Sequence, residues 1–513
     1  MIVNGVQILL IVGAGIGVSA LAHRRGVQPG LVIVVLAAAV SFLPGVPRLE
    51  LDSELILAIV VPPLLYSAAR GASFTSFGQN FRGIFDLGVL LVALTAGALG
   101  LLSSWLLPSI GLAAAFLLGS VLAPPDTITT VSHGAELGLP RRATSILTGE
   151  SLVNDATALT LFSIALAAVN GEHASWGAGA LELLRNAVVG AAIGGVLAVA
   201  TLWLRKRLGN PTLETTLVLL VPFTAFLLAE QVHASGIIAV VVAAFSISIN
   251  ISLDPQHQYP GAYRTRLQEE HFWPVMDFLL ETFVFAYIGL QLGFVLDELA
   301  AQDEPGLART LVAAGLLLLA AIVLRMAGVF LLFGRWRLGD RRTRRRLARD
   351  PGLAARLEQR RSRGRGQRAG VTRLGAPSNR EGVVVGWTGM RGILTLAAAA
   401  AVPETTTSGA PFPGRNAIQA IALIVTLGTL LIQGTTIRSL VRWLRLDVAG
   451  EVEEARAMRA RGLAIARAAA ADGFEQQRLA LGTALMRGEV DEKTARDLIG
   501  DIDLQQAAAR TLS

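Results

Sequence analysis

The stretch SILTGESLVNDATALTLF, residues 145–162, is apolar enough to cross a bilayer and yet contains two acidic residues. A charged side chain at the membrane centre costs about 2.5–3.5 kcal/mol on insertion scales. On an α-helix, Ser151 lies one turn before Asp155, and Glu150 lies one turn before Asn154. These four side chains form one polar stripe, which must face protein or water rather than lipid. Serine, threonine or asparagine would suffice for structural hydrogen bonding, so two carboxylates indicate a functional site.

The composition is that of a membrane protein with many spans. The chain has 513 residues, of which 53% are hydrophobic and 16% are charged, whereas soluble proteins carry about 25% charge. There is no cysteine, which excludes disulfides, iron–sulfur clusters and thiolate zinc sites. The net charge of +7 comes from arginines beside apolar segments, where they orient a membrane protein rather than bind nucleic acid.

Apolar runs long enough to cross the hydrocarbon core recur along most of the chain, and they predict an all-α protein with about thirteen transmembrane helices. Basic loops follow alternate spans, which places the N-terminus outside and the C-terminus in the cytoplasm. The predicted spans are 3–22, 29–45, 54–69, 83–107, 110–132, 145–169, 180–204, 214–231, 235–252, 272–297, 309–334, 382–402 and 416–437.

Two pieces lie outside these spans. Residues 335–381 form a basic segment rich in glycine and arginine, which predicts a partly disordered cytoplasmic loop within the membrane domain of residues 1–437. Contact with lipid is the simplest role for this loop. Residues 438–513 are charged and rich in alanine, a pattern typical of cytoplasmic amphipathic helices. The sequence leaves open whether they regulate the protein.

The segment GSVLAPPDTITTVS, residues 119–132, predicts a helix that is interrupted within the membrane. Pro124 and Pro125 donate no backbone hydrogen bond and push the preceding residues out of the helical conformation. Asp126 and Thr127 suit the N-cap of a resumed half-helix. The carbonyl groups that this break frees are tolerated only beside protein or a water-filled cavity, and they would suit a small cation. A proline kink without function is the alternative.

Arg391 is the third polar feature, within the glycine-rich segment GWTGMRGILTLAAAA, residues 386–400. A buried arginine needs a partner, for which a carboxylate on another helix is the natural choice. Glu150 is the predicted partner, which leaves Asp155 as the free acid. Interrupted or glycine-rich spans in both halves of the chain also indicate an inverted repeat with a site near the membrane midplane.

These motifs resemble the bacterial, NhaP-like sodium/proton exchangers of the first cation:proton antiporter family, over about residues 5 to 445. The resemblance implies a homodimer with the NhaA-like antiporter fold, in which a mobile six-helix core contains two crossed, discontinuous helices. The matching motifs occur in the family's order: PPLLYSAA (62–69), APPDTITT (123–130), LTGESLVNDATALTLF (147–162), AEQVHASGIIAVVVA (229–243), WTGMRGILTLAAAA (387–400) and GTTIRSL (434–440).

The resemblance also implies roles for the polar stripe. Asp155 would bind the cation, sodium above all, and the proton in turn. Ser151 would supply a side-chain oxygen to the ion. Asn154 would support the site in place of the second aspartate of electrogenic relatives. Glu150 would form a structural ion pair with Arg391.

The interrupted helix would contribute a main-chain carbonyl at Pro125, while Asp126 and Thr127 would hold the break and water bound to the ion. This chain departs from the family pattern here, since some relatives have Thr-Asp-Pro at the break. It also has Ser67 where some exchangers carry a glutamate in the third span. Ion preference is therefore open between sodium, lithium and potassium.

Two further acids, Glu230 and Glu281, lie in predicted spans and are interpreted as structural or access-path groups. Together these observations predict a secondary antiporter of the plasma membrane for pH and cation homeostasis, which needs no cofactor and exchanges one cation for one proton. A passive channel is the second hypothesis, although neither a repeated pore element nor a carbonyl ring is evident. A membrane enzyme is the third, although the outer loops are short and featureless.

Overall fold

A computed structural model describes most of the chain and is almost entirely helical. Eight helices of the described part are long and apolar enough to cross a membrane, and three shorter apolar helices accompany them. The described residues are 2–25, 29–44, 46, 53–127, 138–171, 176–253, 261–301, 305–349, 377–446 and 448–511.

Each predicted span overlaps a helix, whereas the total of thirteen spans stays a prediction. The helices of the first half are α1 (Ile2–Arg24), α2 (Pro29–Val40), α3 (Ser53–Gly71), α4 (Phe74–Phe85), α5 (Val92–Leu106), α6 (Gly111–Leu122), α7 (Arg141–Val169), α8 (Trp176–Leu208) and α9 (Pro211–Gln231). Those of the second half are α10 (Gly236–Leu253), α11 (Ala262–Ala300), α12 (Leu307–Arg349), α13 (Asn379–Trp387), α14 (Ile393–Ala400), α15 (Arg415–Thr429), α16 (Thr435–Leu444), α17 (Ala449–Ala468), α18 (Phe474–Met486) and α19 (Glu492–Thr511).

The membrane helices form two groups. The site group contains α4–α7 and α12–α16, which pack mainly on one another. The flanking group contains α1–α3 and α8–α11. Helices α3 and α11 of the flanking group face α14 and α15 of the site group across the boundary.

Small residues let the helices of the site group approach closely. A side chain at Gly119 of α6 would overlap the Ala96 carbonyl and the Gly100 backbone of α5. Lipid tails are as apolar as leucine, so helix association in a membrane depends on such close packing rather than on the hydrophobic effect. The two helices therefore form a rigid pair beside the interrupted segment.

Two helices of the site group are interrupted. Helix α6 ends at Leu122, and the non-helical chain continues to Thr127, as the two prolines predict. The half-helix expected after Asp126 falls on residues 128–137, outside the described residues. The second interruption separates α13, which ends at Trp387, from α14, which begins at Ile393.

The predicted loop of residues 335–381 begins later than expected, because α12 continues as a helix to Arg349. Arginine is a good helix former, so the basic run extends the helix rather than ending it. Residues 350–376 lie outside the described part. The C-terminal region is helical: α17, α18 and α19 form a bundle around a small apolar core that includes Leu481, Leu498 and Ile502.

Candidate functional site

The two interruptions meet at an antiparallel bridge. The backbone N–H of Asp126 donates a hydrogen bond of 2.6 Å to the carbonyl of Met390. Gly392 makes this approach possible, because a Cβ atom at that position would overlap the carboxylate of Asp126. The structure therefore crosses the two discontinuous helices, as the resemblance implied.

Charged side chains compensate the ends of the half-helices. The buried guanidinium of Arg391 donates from Nε to the Leu122 carbonyl at 2.6 Å and from Nη1 to the Gly389 carbonyl at 2.6 Å. Leu122 is the last residue of α6, where unpaired carbonyls give the helix its negative end. The Asp126 carboxylate lies against Gly392 at the positive, N-terminal end of α14.

The prediction that Glu150 forms an ion pair with Arg391 is wrong, because its partner is Arg325. Glu150, which is fully buried on α7, is held by both guanidinium nitrogens of Arg325 on α12, with Nη2 at 2.8 Å from Oε2. Arg325 Nη2 also donates to the Val385 carbonyl at 3.2 Å. This two-pronged geometry suits an arginine and a carboxylate. Arg325 is a single arginine in the apolar run LLLLAAIVLRMAGVF, and that signal would have found it.

Helix α7 holds the first interruption through two side-chain hydrogen bonds. Asn154 Nδ2 donates to the Pro125 carbonyl at 2.5 Å, and Thr127 Oγ1 donates to the Leu147 carbonyl at 2.9 Å. The Pro125 carbonyl lies beyond the end of α6 and has no helical N–H partner, so its buried surroundings must satisfy it, which accounts for an amide at position 154. The Oδ1 atom of Asn154 is buried and accepts no hydrogen bond.

Asp155 and Ser151 lie on the same face of α7, as predicted. Ser151 is buried and Asp155 is partly exposed. The carboxyl groups of Asp155 and Asp126 are close enough to interact electrostatically. Within the described residues no group of three or more histidine, cysteine, aspartate or glutamate side chains is arranged to hold a metal ion.

A second set of acids lies on α11, and the sequence reasoning missed one of them. Ser67 Oγ donates to Asp277 Oδ2 at 2.5 Å, and Oδ1 of Asp277 is buried and accepts no hydrogen bond. Glu281 lies one turn further on and interacts electrostatically with Asp277 and Asp126. The position that lacks the third-span glutamate thus contacts a carboxylate from another helix. Glu230, by contrast, has an exposed side chain at the end of α9.

Comparisons with known proteins agree with this geometry. Residues 6–443 match the family described as "Sodium/hydrogen exchanger, transmembrane". The chain is 34% identical over 458 residues to a protein named as an uncharacterized Na(+)/H(+) exchanger of Mycobacterium tuberculosis, covering 86% of this chain and 76% of that protein. It is 25% identical over 448 residues to the Na(+)/H(+) antiporter ApNhaP of Aphanothece halophytica, covering 86% and 75% respectively.

The fold also matches a solved structure. The sodium proton antiporter MjNhaP1 of Methanocaldococcus jannaschii superposes with a TM-score of 0.62 at 15% identity, covering 86% of this chain and 99% of that one. This likeness confirms the predicted antiporter fold.

Proposed function

The chain belongs to the sodium/hydrogen exchanger family and is a monovalent cation:proton antiporter, and we propose that Asp155 is the acid for which the cation and the proton compete. The observation that carries this assignment is its place on α7, beside the point where the two interrupted helices cross. Asn154 supports it, because a buried amide oxygen without a hydrogen-bond partner needs a ligand such as a cation or its water.

Two other acids at the crossing are already engaged, while Asp277 and Glu281 lie on α11 of the flanking group. Glu150 is neutralised by Arg325. The Asp126 carboxylate lies at the positive, N-terminal end of α14. Asp155 lies on the helix that holds the first interruption, and we assign to it the charge that the transported ions balance. Hard oxygen ligands suit alkali cations, and we propose that Ser151 Oγ, Asn154 Oδ1 and the second lone pair of the Pro125 carbonyl join the carboxylate around sodium.

Exchange follows from competition at this carboxylate. An uncompensated charge within the membrane is unfavourable, so Asp155 binds either a proton or a cation. If only the neutralised site crosses between the two faces, each proton that leaves is replaced by a cation, and the ion gradients drive transport without a cofactor. One free carboxylate makes the exchange electroneutral, one cation for one proton.

The biological setting is part of the proposal. By family resemblance we propose a homodimer in the plasma membrane, with the N-terminus outside and the C-terminus in the cytoplasm, that serves pH and cation homeostasis. The ends of the helices fit this arrangement: Arg70, Arg141 and Arg266 all contact the C-terminal bundle, so these three basic segments share one side.

The test is cation-driven proton movement in proteoliposomes. Acid-loaded vesicles containing the wild type should become alkaline inside on addition of sodium, and parallel additions of lithium and potassium give the ion preference. Asp155→Asn should abolish the response, because the amide binds no exchangeable proton. Glu230→Gln is the matched control and should retain it.

Two results would overturn the assignment. Equal activity of Asp155→Asn and the wild type would show that another acid carries the ions. An exchange rate that follows an imposed membrane potential, with net charge movement, would exclude the one-for-one stoichiometry.

A further inference from the structure

A second polar stripe lies inside the membrane, on the last spanning helix. Helix α15 continues through one π-helical turn, Leu430–Gly434, into α16. Thr426, Thr429 and Gln433 are three and four residues apart, so their side chains share one face of this helix. All three residues are buried. The face carries two hydroxyls and an amide, and π-helical turns are rare features that occur often at functional sites.

The stripe of α15 faces the second interruption. Thr429 Oγ1 accepts a hydrogen bond of 3.0 Å from the backbone N–H of Arg391 and donates one of 3.0 Å to the Thr426 carbonyl. Helix α7 holds the first interruption in a similar way, through Asn154 and the Pro125 carbonyl. Each of the two helices follows an interrupted helix in the chain and bonds to its break, the relation that an inverted repeat predicts. The stripe of α15 is therefore the uncharged counterpart of the polar stripe of α7.

Four buried side chains around the second interruption have polar atoms that find no hydrogen-bond partner in the described part of the chain. The atoms are Oγ1 of Thr395 and of Thr426, Nη2 of Arg391 and both polar atoms of the Gln433 amide. Each of these residues is at most 1% exposed. A buried polar atom without a partner is strongly unfavourable, and the surrounding hydrocarbon supplies no partner. The concentration of such atoms beside one break points to a bound ligand, and we call this set of four residues the Arg391 pocket.

Water is the ligand that matches these atoms. It can accept from Arg391 Nη2 and can both donate to and accept from hydroxyl and amide groups, which a monatomic ion cannot do. The guanidinium charge repels a cation. An anion is disfavoured because this guanidinium already binds two carbonyls and lies within electrostatic reach of the Glu150 carboxylate. Buried water typically makes about three hydrogen bonds to groups that would otherwise be unsatisfied.

We propose that the Arg391 pocket binds buried water molecules, which hold the guanidinium of Arg391 in place. Two nitrogens of the guanidinium bind carbonyls, and water at Nη2 completes its set of partners. Arg391 Nε in turn holds the carbonyl of Leu122, the last residue of α6. The pocket therefore positions the end of the helix from which the first interruption begins.

This positioning reaches the proposed ion site. Pro125, whose carbonyl we assign to the cation, lies three residues after Leu122. Loss of the water should let Arg391 and the end of α6 shift, which weakens sodium binding without removing any ligand of the ion. Gln433 is a positioning residue in this scheme, since it acts through water and Arg391. The binding of water is independent of transport, whereas the effect on sodium rests on the proposed function.

The first test is the sign of a stability change. Removing a hydroxyl that has no partner should leave the free energy of unfolding unchanged or raise it, whereas removing one that binds water should lower it. Thr395→Val and Thr426→Val should therefore each raise the unfolding equilibrium constant about two- to tenfold in mixed detergent–SDS micelles.

Thr310→Val is the matched control for these two variants. Thr310 is a fully buried threonine of α12, and its hydroxyl donates to the Gly306 carbonyl one turn back at 2.9 Å. The Thr310 backbone N–H also satisfies this carbonyl, so valine leaves no polar atom without a partner. The unfolding equilibrium constant should change by less than about twofold.

The second test detects the water itself. X-ray radiolysis converts bound water into hydroxyl radicals, which oxidise the side chains beside it. Met390 precedes Arg391 and is 2% exposed, so bulk water does not reach it. Mass spectrometry should show oxidation of Met390 in the wild type and its loss in Gln433→Leu, with the exposed Met486 as the dose reference.

The third test measures the sodium dependence of exchange in proteoliposomes. Gln433→Leu should raise the KM for sodium about two- to tenfold, the range for one lost hydrogen bond, and by more than it lowers the maximal rate. Thr310→Val should keep the wild-type KM. A merely structural role would lower the amount of active protein and leave the KM unchanged, and that result would contradict the positioning role of Gln433.

The water pocket is overturned if Thr395→Val and Thr426→Val are both as stable as the wild type or more stable, or if Met390 is oxidised equally in the wild type and Gln433→Leu. Neither measurement needs transport, so either result leaves the antiport function intact. A wild type without cation-driven exchange would instead contradict the function and leave the pocket in place, so the two failures are distinguishable.

Discussion

Removing Arg325 alone should destabilise the antiporter far more than removing both members of its ion pair. Arg325→Met leaves the carboxylate of Glu150 fully buried without its counter-charge, and breaking a buried pair in this way costs about 3–5 kcal/mol. In Glu150→Leu/Arg325→Met no charge is left behind, and replacement of a buried pair by apolar residues is often neutral or stabilising by about 1–4 kcal/mol. The coupling between the two positions should therefore be about 3 kcal/mol or more.

A second double-mutant cycle, between Glu150 and Arg391, tests the ion pair that the sequence predicts. The Nε and Nη1 donors of Arg391 go to the carbonyls of Leu122 and Gly389 rather than to Glu150. Charge alone connects Glu150 and Arg391, and we expect a coupling below about 1 kcal/mol, near the lower end of the range for neighbouring residues. Both cycles use the same Glu150→Leu variant. A difference between their two coupling free energies therefore comes from the arginine that is replaced.

The measurement is the free energy of unfolding of the purified protein in mixed detergent–SDS micelles, followed by circular dichroism. All single and double variants are unfolded and refolded under the same conditions. The reasoning is refuted if Arg325→Met is as stable as the double variant, or if Glu150 is coupled more strongly to Arg391 than to Arg325.

Two further predictions concern the helix crossing and the bundle. Gly392→Ala places a methyl group in the space of the Asp126 carboxylate and should lower sodium-driven exchange in proteoliposomes by about tenfold or more, whereas Gly17→Ala, with open space around it, should leave the rate unchanged. Burial raises the pKa of the Glu492 carboxyl, but the hydrogen bond from the Thr75 backbone N–H, a neighbouring guanidinium and two hydroxyls outweigh it and leave the pKa below its ordinary value. This carboxylate therefore stabilises bundle docking above about pH 4.3, and its contribution is lost as the pH falls through the lowered pKa. Glu492→Gln should remove that pH dependence, as measured by limited proteolysis of the bundle between pH 3 and 7; an unchanged profile would contradict this role.

Much of the site could be predicted from the sequence because it depends on local rules. The spacing of Ser151 and Asp155 places them on one face of a helix, and α7 is continuous through both. The missing N–H groups of Pro124 and Pro125 predict the end of α6, which the structure has at Leu122. Apolar length likewise predicts where the membrane helices lie, since each helix must satisfy its own backbone in lipid.

Only the tertiary structure decided which polar groups meet. Two buried arginines from distant segments could pair with Glu150: Arg325 on α12 and Arg391 in the break before α14. Their spacing along the chain does not show which of them does. The packing of α7 and α12 around Leu87 and Leu91 decided the pair, and Arg391 holds the freed carbonyl of Leu122. The contact between Ser67 and Asp277 has the same origin. Helix position follows from hydrophobicity and backbone chemistry within a few residues, whereas charge pairing depends on distances between segments far apart in sequence.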